Sequence, residues 1–322
     1  MVKRIKKAQR RSDQDKLFLG VDGGGTKTKV VLMDINHQIV ATGLGGPSNP
    51  LRVGVDAAVD NIMHAFVDAS DKSKRMVLDV ATGVFGLAGV RRQDIRDRVR
   101  ERLIRELRTN RVTVVPDAEI AWFASTRGAA GVVVISGTGS ICYGKDSDGN
   151  AAVAGGWGPI AGDEGSGINI SKNALRAIAK ASDGRAPETR LAEVASDYFR
   201  ASNPEDLIVA IASPQMDNKR LAGFARSVIE IAKQGDDIAM EIVSVAGYEL
   251  GLAASAVIRK LGLTNQKIPV GMVGSIFKAG EILKAPMLEI VNATAPKAYL
   301  KEPELEPAQA AAELAYIEYI DR

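Results

Sequence analysis

Residues 17–33 have the sequence LFLGVDGGGTKTKVVLM, and this stretch decides the fold class of the chain. An apolar run ends in Asp22 and three consecutive glycines, and a second apolar run follows Thr26. This order predicts a strand, a tight turn and a return strand. Glycines lack a Cβ, so the backbone of the turn can approach a ligand closely and its N–H groups can converge on an anion. The pattern therefore predicts a hairpin whose turn binds phosphate.

A nucleotide-binding P-loop is excluded by the residues that follow the glycines. Gly20 and Gly25 have the spacing of a P-loop, but Thr26-Lys27-Thr28 occupies the place where that motif requires Gly-Lys-[Ser/Thr]. A P-loop also opens a helix, whereas residues 29–33 are apolar and largely β-branched, which is typical of a strand. The hairpin is the better prediction.

The composition is that of an ordinary globular protein with more than one domain. The chain has 322 residues, of which 46% are hydrophobic and 25% charged, and its net charge is +3. The single cysteine, Cys142, allows no intrachain disulfide, and two histidines leave little room for a zinc site or a histidine triad. We expect chemistry that rests on carboxylates, hydroxyls and backbone groups.

The first residues are basic but carry no recognisable targeting signal. We interpret residues 1–16, which are rich in lysine and arginine, as a disordered leader rather than a contact for nucleic acid or a membrane. No apolar stretch follows that could serve as a signal peptide, and no segment is expected to approach the span of a membrane helix. The prediction is a cytoplasmic protein that binds neither nucleic acid nor membranes.

The order of predicted elements around the first hairpin is repeated in the middle of the chain. Residues 131–158 repeat the order found in residues 17–46: strand, glycine turn, return strand, polar turn, third strand and a glycine-rich close. The second glycine turn is Gly137-Thr-Gly-Ser140, which alone would be ordinary turn chemistry. Two copies predict a duplicated fold whose two phosphate turns face one another across a cleft.

Periodic apolar residues predict helices between the strands. The predicted helices are 55–69, 93–107, 166–181 and 221–234, and further strands are predicted at 79–82, 111–115 and 268–273. Strands interleaved with helices indicate an α/β chain. The predicted domains are residues 17–128, completed by a C-terminal helix at 306–322, and residues 129–305.

Five motifs follow one another in a fixed order: DGGGTKT at 22–28, PDA at 116–118, GTGS at 137–140, GGWGPIAGDEGS at 155–166 and VGSIF at 273–277. Together with RLAGF at 220–224, they resemble the N-acetylglucosamine kinase and BadF/BadG/BcrA/BcrD ATPase family, over residues 17 to about 320. That family belongs to the sugar kinase, Hsp70 and actin superfamily. The resemblance implies an actin-like ATPase fold, in which two ribonuclease H-like domains hold ATP in the cleft between them.

Asp117 is the candidate catalytic residue. A carboxylate at the end of a strand can orient a sugar hydroxyl and accept its proton as the γ-phosphoryl group departs from ATP. Local sequence alone favours a helix N-cap, since Asp before a helix satisfies a free N–H group of its first turn. The resemblance reverses that order, because the family has its catalytic aspartate at this Asp-Ala pair. We expect Asp117 to be the general base and to contact the sugar.

The two glycine turns supply the candidate phosphate contacts. Gly24 and Thr26 lie in the first turn, Thr138 and Gly139 in the second, and the hydroxyls and neighbouring N–H groups could bind phosphate oxygens. A carboxylate beside phosphates would repel them, so we interpret Asp22 as the residue that holds Mg²⁺ through water. The alternative is an aspartate that only initiates the turn.

The acceptor site is implied by the resemblance. Asn49, Gly156, Trp157, Gly158 and Asp163 match the family's sugar-contacting residues. Asn and Asp can each bridge adjacent sugar hydroxyls, and glycine backbone allows close approach. Alternatively, the tryptophan is a packed aromatic and the aspartate is part of an acidic helix start. The two residues after Asn49 depart from the animal kinases, which leaves the identity of the amino sugar open.

The adenosine end is assigned to two small-residue segments. Gly274 and Ser275 form a strand-to-helix turn that resembles the family's adenosine motif, and Ala222 begins a predicted small-residue helix against which a flat base could lie. An ordinary helix start explains the second segment nearly as well.

The leading functional hypothesis is a phosphotransferase that converts MgATP and N-acetylglucosamine to ADP and the sugar 6-phosphate. A glucosamine kinase is the nearest alternative. A BadF-type activator ATPase is a more distant one, because its iron–sulfur cluster requires several thiolates and this chain has one cysteine. A non-catalytic sugar sensor is disfavoured by the presence of both Asp22 and Asp117. The family also implies a homodimer.

Overall fold

The computed structural model describes residues 16–73, 80–202 and 205–321. The chain forms two compact units, one ending at Ala124 and completed from Leu305 onward, the other spanning Ser125–Glu304. The predicted junction at residue 128 lies slightly beyond this boundary. The basic segment, except for Lys16, and Asp79 of a predicted strand lie outside the described residues.

The first unit is built around a five-stranded sheet with the order β3-β2-β1-β4-β5. Its strands are β1 (Leu17–Gly23), β2 (Thr28–Asp34), β3 (Ile39–Gly45), β4 (Val80–Leu87) and β5 (Val112–Pro116). Its helices are α1 (Pro50–Val53), α2 (Val55–Ser73), α3 (Gln93–Leu107), α4 (Asp117–Thr126, which crosses the boundary) and the last helix of the chain, α12 (Pro307–Ile320). β1, β2 and β3 are antiparallel, whereas β4 and β5 run parallel to β1.

Helices cover both faces of this sheet, because side chains alternate along each strand. Leu17 and Leu19 of β1 pack with α2 and α3, whereas Phe18 between them packs with α12. The backbone of α12 approaches β1 so closely that a Cβ at Gly20 would collide with the carbonyl oxygen of Ala308. Gly20 is therefore required by helix–sheet packing.

The second unit repeats this sheet and adds helices. Its strands are β6 (Gly131–Ser136), β7 (Ser140–Lys145), β8 (Ala151–Gly155), β9 (Pro269–Val273) and β10 (Tyr299–Lys301). Its helices are α5 (Gly167–Ser182), α6 (Leu191–Phe199), α7 (Leu207–Ala212), α8 (Asn218–Gly223), α9 (Ala225–Lys233), α10 (Asp237–Lys260) and α11 (Glu281–Thr294), with a 3₁₀ helix at Ser275–Ala279.

The two sheets have the same topology. The second sheet has the order β10-β9-β6-β7-β8, with β6, β7 and β8 antiparallel and β9 and β10 parallel to β6. Three consecutive antiparallel strands followed by two parallel ones occur in each unit. The predicted α/β fold class is confirmed, and the hairpins predicted on either side of both glycine turns are present.

The prediction of one helix over residues 221–234 is wrong. The chain forms α8 and α9 there, separated at Phe224. The side chain of Asp217 caps α8 by accepting the N–H of Arg220 at 2.7 Å. Phe224 is fully buried between the rings of Tyr198 and Phe199. Burial of this ring redirects the chain, so small residues at 222–223 end one helix rather than begin another.

The expectation that no segment approaches the length of a membrane-spanning helix is also wrong. α10 has 24 residues and is long and apolar enough to cross a membrane by length and composition alone. In the described structure half of its most apolar window is buried inside the protein. It packs against α9, α11 and the strands β6, β7 and β8. α10 is a core helix of the second unit.

Candidate functional site

The carboxyl ends of three parallel strands bring two acidic residues to one edge of the first sheet. Gly23 of β1 pairs with Leu87 of β4, and Leu87 pairs with Pro116 of β5. Asp22 and Asp117 flank this row and are close enough for their charges to interact. Carboxyl ends of parallel strands are the usual position of ligand sites in open α/β sheets.

Both carboxylates are partly removed from water. Burial, followed by the neighbouring Asp117, raises the pKa of Asp22 to about 6. Burial also raises the pKa of Asp117, although the N–H of Ala118 donates to its Oδ1 at 2.9 Å and acts in the opposite direction. An N-cap would accept from the N–H two or three residues ahead, so the contact to Ala118 is not the ordinary capping bond.

A network of backbone bonds fixes the first glycine turn. The N–H of Gly24 donates to the carbonyl of Lys27 at 3.0 Å, and the carbonyl of Gly24 accepts the N–H of Ser48 at 3.0 Å. The hydroxyl of Thr28 donates to the Ser48 hydroxyl at 2.7 Å. Thr26, at the tip of the turn, is exposed. These hydrogen bonds fix the base of the turn, whereas its tip is exposed to solvent.

The second glycine turn is held in a similar way. The N–H of Gly137 donates to the carbonyl of Gly139 at 2.9 Å, and the carbonyl of Gly137 accepts the N–H of Gly167 at 2.8 Å. Ile168 donates to the carbonyl of Thr138 at 3.4 Å. The first residues of α5 therefore anchor the turn, and the Thr138 side chain is exposed.

One glycine in each turn is not required by the fold. A Cβ at Gly137 would meet no atom within 4 Å, and a Cβ at Gly24 would make only an ordinary contact, 3.6 Å from the carbonyl oxygen of Lys27. Neither residue has the positive φ that favours glycine. The space beside these backbones is free, which suits a ligand that must come close to the main chain.

The predicted sugar residues lie in two different settings. In the first unit, the Asn49 side chain accepts the N–H of Leu51 at 3.0 Å and its amide oxygen lies against Gly89. In the second unit, Trp157 is 74% exposed on the loop between β8 and α5, so the alternative of a packed aromatic is wrong. Its neighbours Gly156 and Gly158 both have positive φ, which explains the glycines.

Asp163, another predicted sugar contact, lies next to the second glycine turn. It is 7% exposed, has a φ of 61°, and its carboxylate lies against the second glycine turn. Burial raises its pKa, and N–H groups of Ser140 and Gly158 oppose that effect. The N-cap of α5 is Ser166, whose hydroxyl accepts the N–H of Asn169 at 3.2 Å, so Asp163 precedes the helix by several residues.

Two of the three predicted adenosine residues line one cavity in the second unit, and the third, Gly274, precedes one of them. Its volume is about 550 Å³, and Ala222 and Ser275 are among its walls. Gly274 has a φ of 121°, and a Cβ there would collide with the carbonyl oxygen of Ser136, the last residue before the glycine turn. A Cβ at Gly167 would meet the carbonyl oxygens of both Ala222 and Gly137 at 3.0 Å. The cavity and the glycine turn are therefore contiguous.

Several cavity residues carry no recognisable sequence signal. They are Tyr198, Arg226, Ser227, Glu230 and Lys278. They come from α6, α9 and the 3₁₀ helix, and only the tertiary fold brings these elements together. Tyr198 donates its hydroxyl to the carbonyl of Arg220 at 2.8 Å and lies so close to Gly223 that a Cβ there would collide with it.

The first sheet edge has the donor set that a magnesium ion accepts. Mg²⁺ usually binds one or two carboxylates, several waters and substrate phosphates. Asp22 presents a half-buried carboxylate whose pKa is raised by burial and by Asp117, although Lys27 and Lys29 act in the opposite direction. Among the described residues no three His, Cys, Asp or Glu side chains form a dedicated metal cluster. The residues present fit a site of the magnesium type.

Cys142 is not placed for cluster chemistry. It is fully buried in β7, and burial raises the pKa of its thiol far above the usual range. Thiolate, not thiol, binds metals. The single cysteine of the chain therefore does not present a ligand at the surface.

Comparisons with known proteins point in one direction. Residues 19–315 match the model of the BadF/BadG/BcrA/BcrD ATPase family. The chain is 31% identical over 284 residues to an N-acetylmuramic acid/N-acetylglucosamine kinase of Clostridium acetobutylicum, covering 88% of this chain and 92% of that protein. It is 32% identical over 311 residues to an N-acetyl-D-glucosamine kinase of Dictyostelium discoideum, covering 93% and 97%.

A solved structure has the same fold. A candidate N-acetylglucosamine kinase from Chromobacterium violaceum superimposes with a TM-score of 0.74 at 24% identity, covering 93% of this chain and 99% of that protein. At this level of identity the likeness concerns the fold.

Proposed function

Because this chain belongs to the BadF/BadG/BcrA/BcrD ATPase family, as its motifs predicted, we propose that it is an ATP-dependent sugar kinase that phosphorylates N-acetylglucosamine at its 6-hydroxyl. Relatives at 31% and 32% identity are kinases of N-acetylated amino sugars. One of them also acts on N-acetylmuramic acid. These relatives support an acetylated acceptor over free glucosamine.

The observation that carries the proposal is the pair of open glycine backbones. Gly24 and Gly137 have ordinary φ angles, and free space lies where a Cβ would stand. A fold gains nothing from glycine at such positions, since glycine costs conformational entropy. A phosphate chain that approaches the main chain gives the glycines a purpose. We infer that both turns contribute contacts to the triphosphate.

The nucleotide's other end fits the second unit. The cavity of about 550 Å³ beside Ser275 is large enough for a nucleoside and continues to the turn at Gly137. We infer that adenosine occupies this cavity with Ala222, Gly274 and Ser275 around it. Thr138 and Gly139 then contact the phosphates, and Gly24 and Thr26 do so from the first unit.

Asp117 is the general base in this proposal. Burial raises the pKa of its carboxyl, which brings the group closer to the basicity that proton transfer from a hydroxyl requires. It accepts the proton of the sugar hydroxyl as the oxygen attacks the γ-phosphorus. Asp22 would hold Mg²⁺ through water, and that ion would supply positive charge to the phosphoryl oxygens.

The acceptor contacts are assigned to both units. Asn49 offers its amide nitrogen, since its oxygen accepts the N–H of Leu51. The exposed Trp157 offers an apolar face, and Gly156 and Gly158 allow the backbone to approach the sugar. Homodimer formation and a cytoplasmic location stay predictions.

The test is an ADP-release assay with N-acetylglucosamine, N-acetylmuramic acid, glucosamine, N-acetylmannosamine, glucose and no sugar. We expect strong dependence on N-acetylglucosamine, with the product identified as the 6-phosphate by mass spectrometry. Asp117→Asn should lower kcat by about 10²- to 10⁴-fold, whereas Asp94→Asn on the exposed face of α3 should leave it unchanged. Strong release without sugar would instead support an ATPase, and unchanged turnover by Asp117→Asn would remove the base assignment.

A further inference from the structure

The side chain of Asp22 lies on the face of the first sheet that α12 covers. A Cβ at Gly20 would collide with the backbone of Ala308 in α12, so position 20 of β1 faces this helix. Side chains two positions apart along a strand point to the same face of a sheet. Asp22 therefore faces the α12 side, and the charge of Glu306, the residue before α12, acts on its carboxylate.

Lys29 is the residue that the sheet places opposite Asp22. The antiparallel register of β1 and β2 pairs these two residues directly. Directly opposed residues of antiparallel strands have Cβ atoms about 4.5–5.5 Å apart, and opposite charges at such positions attract one another. The register alone therefore predicts an ion pair between Lys29 and Asp22. That ion pair would occupy the carboxylate that we assign to Mg²⁺.

The structure pairs Lys29 with Glu306 instead. The ammonium group of Lys29 donates to Oε2 of Glu306, and the two side chains form an ion pair. In the described part of the chain the Asp22 carboxylate accepts no hydrogen bond and forms no ion pair, although the charges of Lys27 and Lys29 act on it. The lysine opposite Asp22 is thus directed to a different carboxylate.

The carboxylate of Glu306 is not used to cap the helix that follows it. Glu306 occupies the N-cap position of α12, where a side-chain oxygen often accepts an N–H group of the first turn. Among the described residues its side chain makes no capping bond of this kind, and Pro307 at the next position has no N–H group to offer. The carboxylate is 67% exposed and is free to accept the Lys29 ammonium group.

We propose that Glu306 is a positioning residue that holds the Lys29 ammonium group away from Asp22, so that the Asp22 carboxylate stays available to the divalent cation that accompanies ATP. The proposal rests on the proposed function for the assignment of Asp22 to that cation. An ammonium group paired with Asp22 would have to be displaced before a cation could bind there, and this competition would lower the apparent affinity for the cation.

A simpler role for Glu306 is to attract the cation by its own negative charge. In that case loss of the charge weakens cation binding whether or not Lys29 is present, because the two charges act independently. If Glu306 acts by holding Lys29, its loss has an effect only while the lysine is there to turn toward Asp22. A double-mutant cycle on Glu306 and Lys29 separates the two roles.

The experiment measures Mn²⁺ binding to the complex of the protein with ADP, from the electron paramagnetic resonance signal of the free ion. Mn²⁺ takes the place of Mg²⁺ because both ions prefer oxygen ligands. The measurement is made at about pH 8, where a carboxyl group with a pKa of about 6, as in Asp22, is ionised. We expect Glu306→Gln to weaken Mn²⁺ binding about fivefold, as for competition by one exposed ion pair. In the Lys29→Met background the same substitution should change the affinity by less than about twofold.

Asp60→Asn is the matched control. Asp60 lies on α2, which packs on the other face of the sheet, and it pairs with Arg102 at 3.5 Å. The variant removes one negative charge from an exposed ion pair of the same unit and should bind Mn²⁺ like wild type. Thermal unfolding reports whether each variant folds. Glu306→Gln keeps the size of the side chain and leaves Pro307 in place at the start of α12.

The outcomes separate the proposal from the function on which it rests. An equal loss of Mn²⁺ affinity from Glu306→Gln in both backgrounds, or no loss in either, would overturn the positioning role. Asp22→Asn should weaken Mn²⁺ binding at least as much as Glu306→Gln does, and unchanged affinity would remove the metal assignment itself. Wild-type protein that binds Mn²⁺ and ADP but phosphorylates no sugar would overturn the proposed kinase, whereas the cycle would still decide the role of Glu306.

Discussion

At the scale of single residues, the edge of the first sheet carries two neighbouring acidic side chains that lower the stability of the fold. Asp22 and Asp117 are half-buried, and burial, followed by the neighbouring Asp117, raises the pKa of Asp22. A fold selected for stability alone would not keep two such carboxylates side by side. Groups with perturbed pKa values are typical of functional sites.

Asp22→Asn should stabilise the magnesium-free protein at neutral pH. The folded pKa of Asp22 is about 6 and its ordinary value is 3.8, so the folded state holds this proton more tightly than the unfolded state. The stability associated with the protonated group is complete below pH 4 and is lost as the pH rises to about 6. Between pH 4 and pH 7 the variant should gain up to about 3 kcal/mol relative to wild type.

The measurement is urea unfolding across this pH range in the presence of EDTA. Asp94→Asn is the control, because Arg92 lowers the pKa of that exposed carboxyl and no gain at neutral pH is expected. A constant difference between wild type and Asp22→Asn at all pH values would contradict the interpretation of Asp22.

Gly137→Ala tests the glycine turn directly. The backbone angle suits alanine and no atom lies within 4 Å of the new methyl group, so thermal stability should stay close to that of wild type. The methyl group would occupy the space assigned to a phosphate, and we expect at least about a tenfold loss of ADP affinity. Calorimetric titration measures this, and full ADP affinity in a folded variant would show that the open space does not serve a phosphate.

Sequence predicted the positions of Asp22 and Asp117 better than their surroundings, while their chemical roles stay predictions. Asp22 and Asp117 could be assigned because each follows an apolar strand, and strand ends bring side chains to one edge. Asp163 was assigned only through the family resemblance, because an acidic residue shortly before Gly165 and Ser166 resembles an ordinary helix start. Its burial depends on Gly139, which is distant in sequence and becomes a neighbour only in the folded chain.

At the scale of elements, local patterns predicted the hairpins and failed where tertiary contacts decide. The hairpin around Gly24 follows from glycines between apolar runs, and the structure pairs its strands in the expected antiparallel way. The break at Phe224 depends on the aromatic cluster with Tyr198 and Phe199, which no local period reveals. α10 was missed although its buried residues recur at helical spacing, as at Val243, Ala246 and Leu250.

Close backbone contact between β1 and α12 makes Gly20 sensitive to substitution. A Cβ at Gly20 would collide with the backbone of Ala308 and Ala312, and neither can yield without moving the helix. We expect Gly20→Ala to lower the free energy of unfolding by about 3 kcal/mol or more. Urea unfolding gives the value.

Gly24→Ala, in the same hairpin, is the matched control for stability. Its methyl group would make an ordinary contact 3.6 Å from the Lys27 carbonyl oxygen, so the free energy of unfolding should change by less than about 1 kcal/mol. Equal losses in both variants would show that the helix contact is not what requires glycine at position 20.

At the scale of the whole molecule, the duplication could be predicted from the sequence, whereas the helices inserted in the second unit could not. The repeated order of strands and glycine turns in the sequence corresponds to two sheets of identical topology. The extra helices of the second unit, from α6 to α9, carry most of the lining of the cavity beside Ser275 and have no counterpart in the first half. A repeated order of strands and turns in the sequence therefore predicts the shared sheet and not the inserted helices.

The last helix of the chain belongs to the first compact unit. Ala308, Ala311, Ala312 and Ala315 of α12 are buried against Phe18 and its neighbours. Truncation before Pro307 removes this layer and exposes one face of the first sheet. We expect limited proteolysis of the truncated protein to cut within residues 16–124, while the separate core of residues 125–304 resists cleavage.

Deletion of residues 320–322 is the control for that truncation, since Ile320 is largely exposed and contributes little to the core. Mass spectrometry of the fragments locates the cuts. A truncated protein whose first unit resists protease as well as wild type would contradict the structural importance of α12.

Because Cys142 is buried, the one native thiol of the chain would not compete with an introduced cysteine for a thiol-specific dye. Its thiol is enclosed in β7 and held in the unreactive neutral form. A cysteine introduced at an exposed position would therefore take up a maleimide dye alone. A dye at a single exposed position, such as Asp94→Cys, could therefore be attached without replacing the native cysteine.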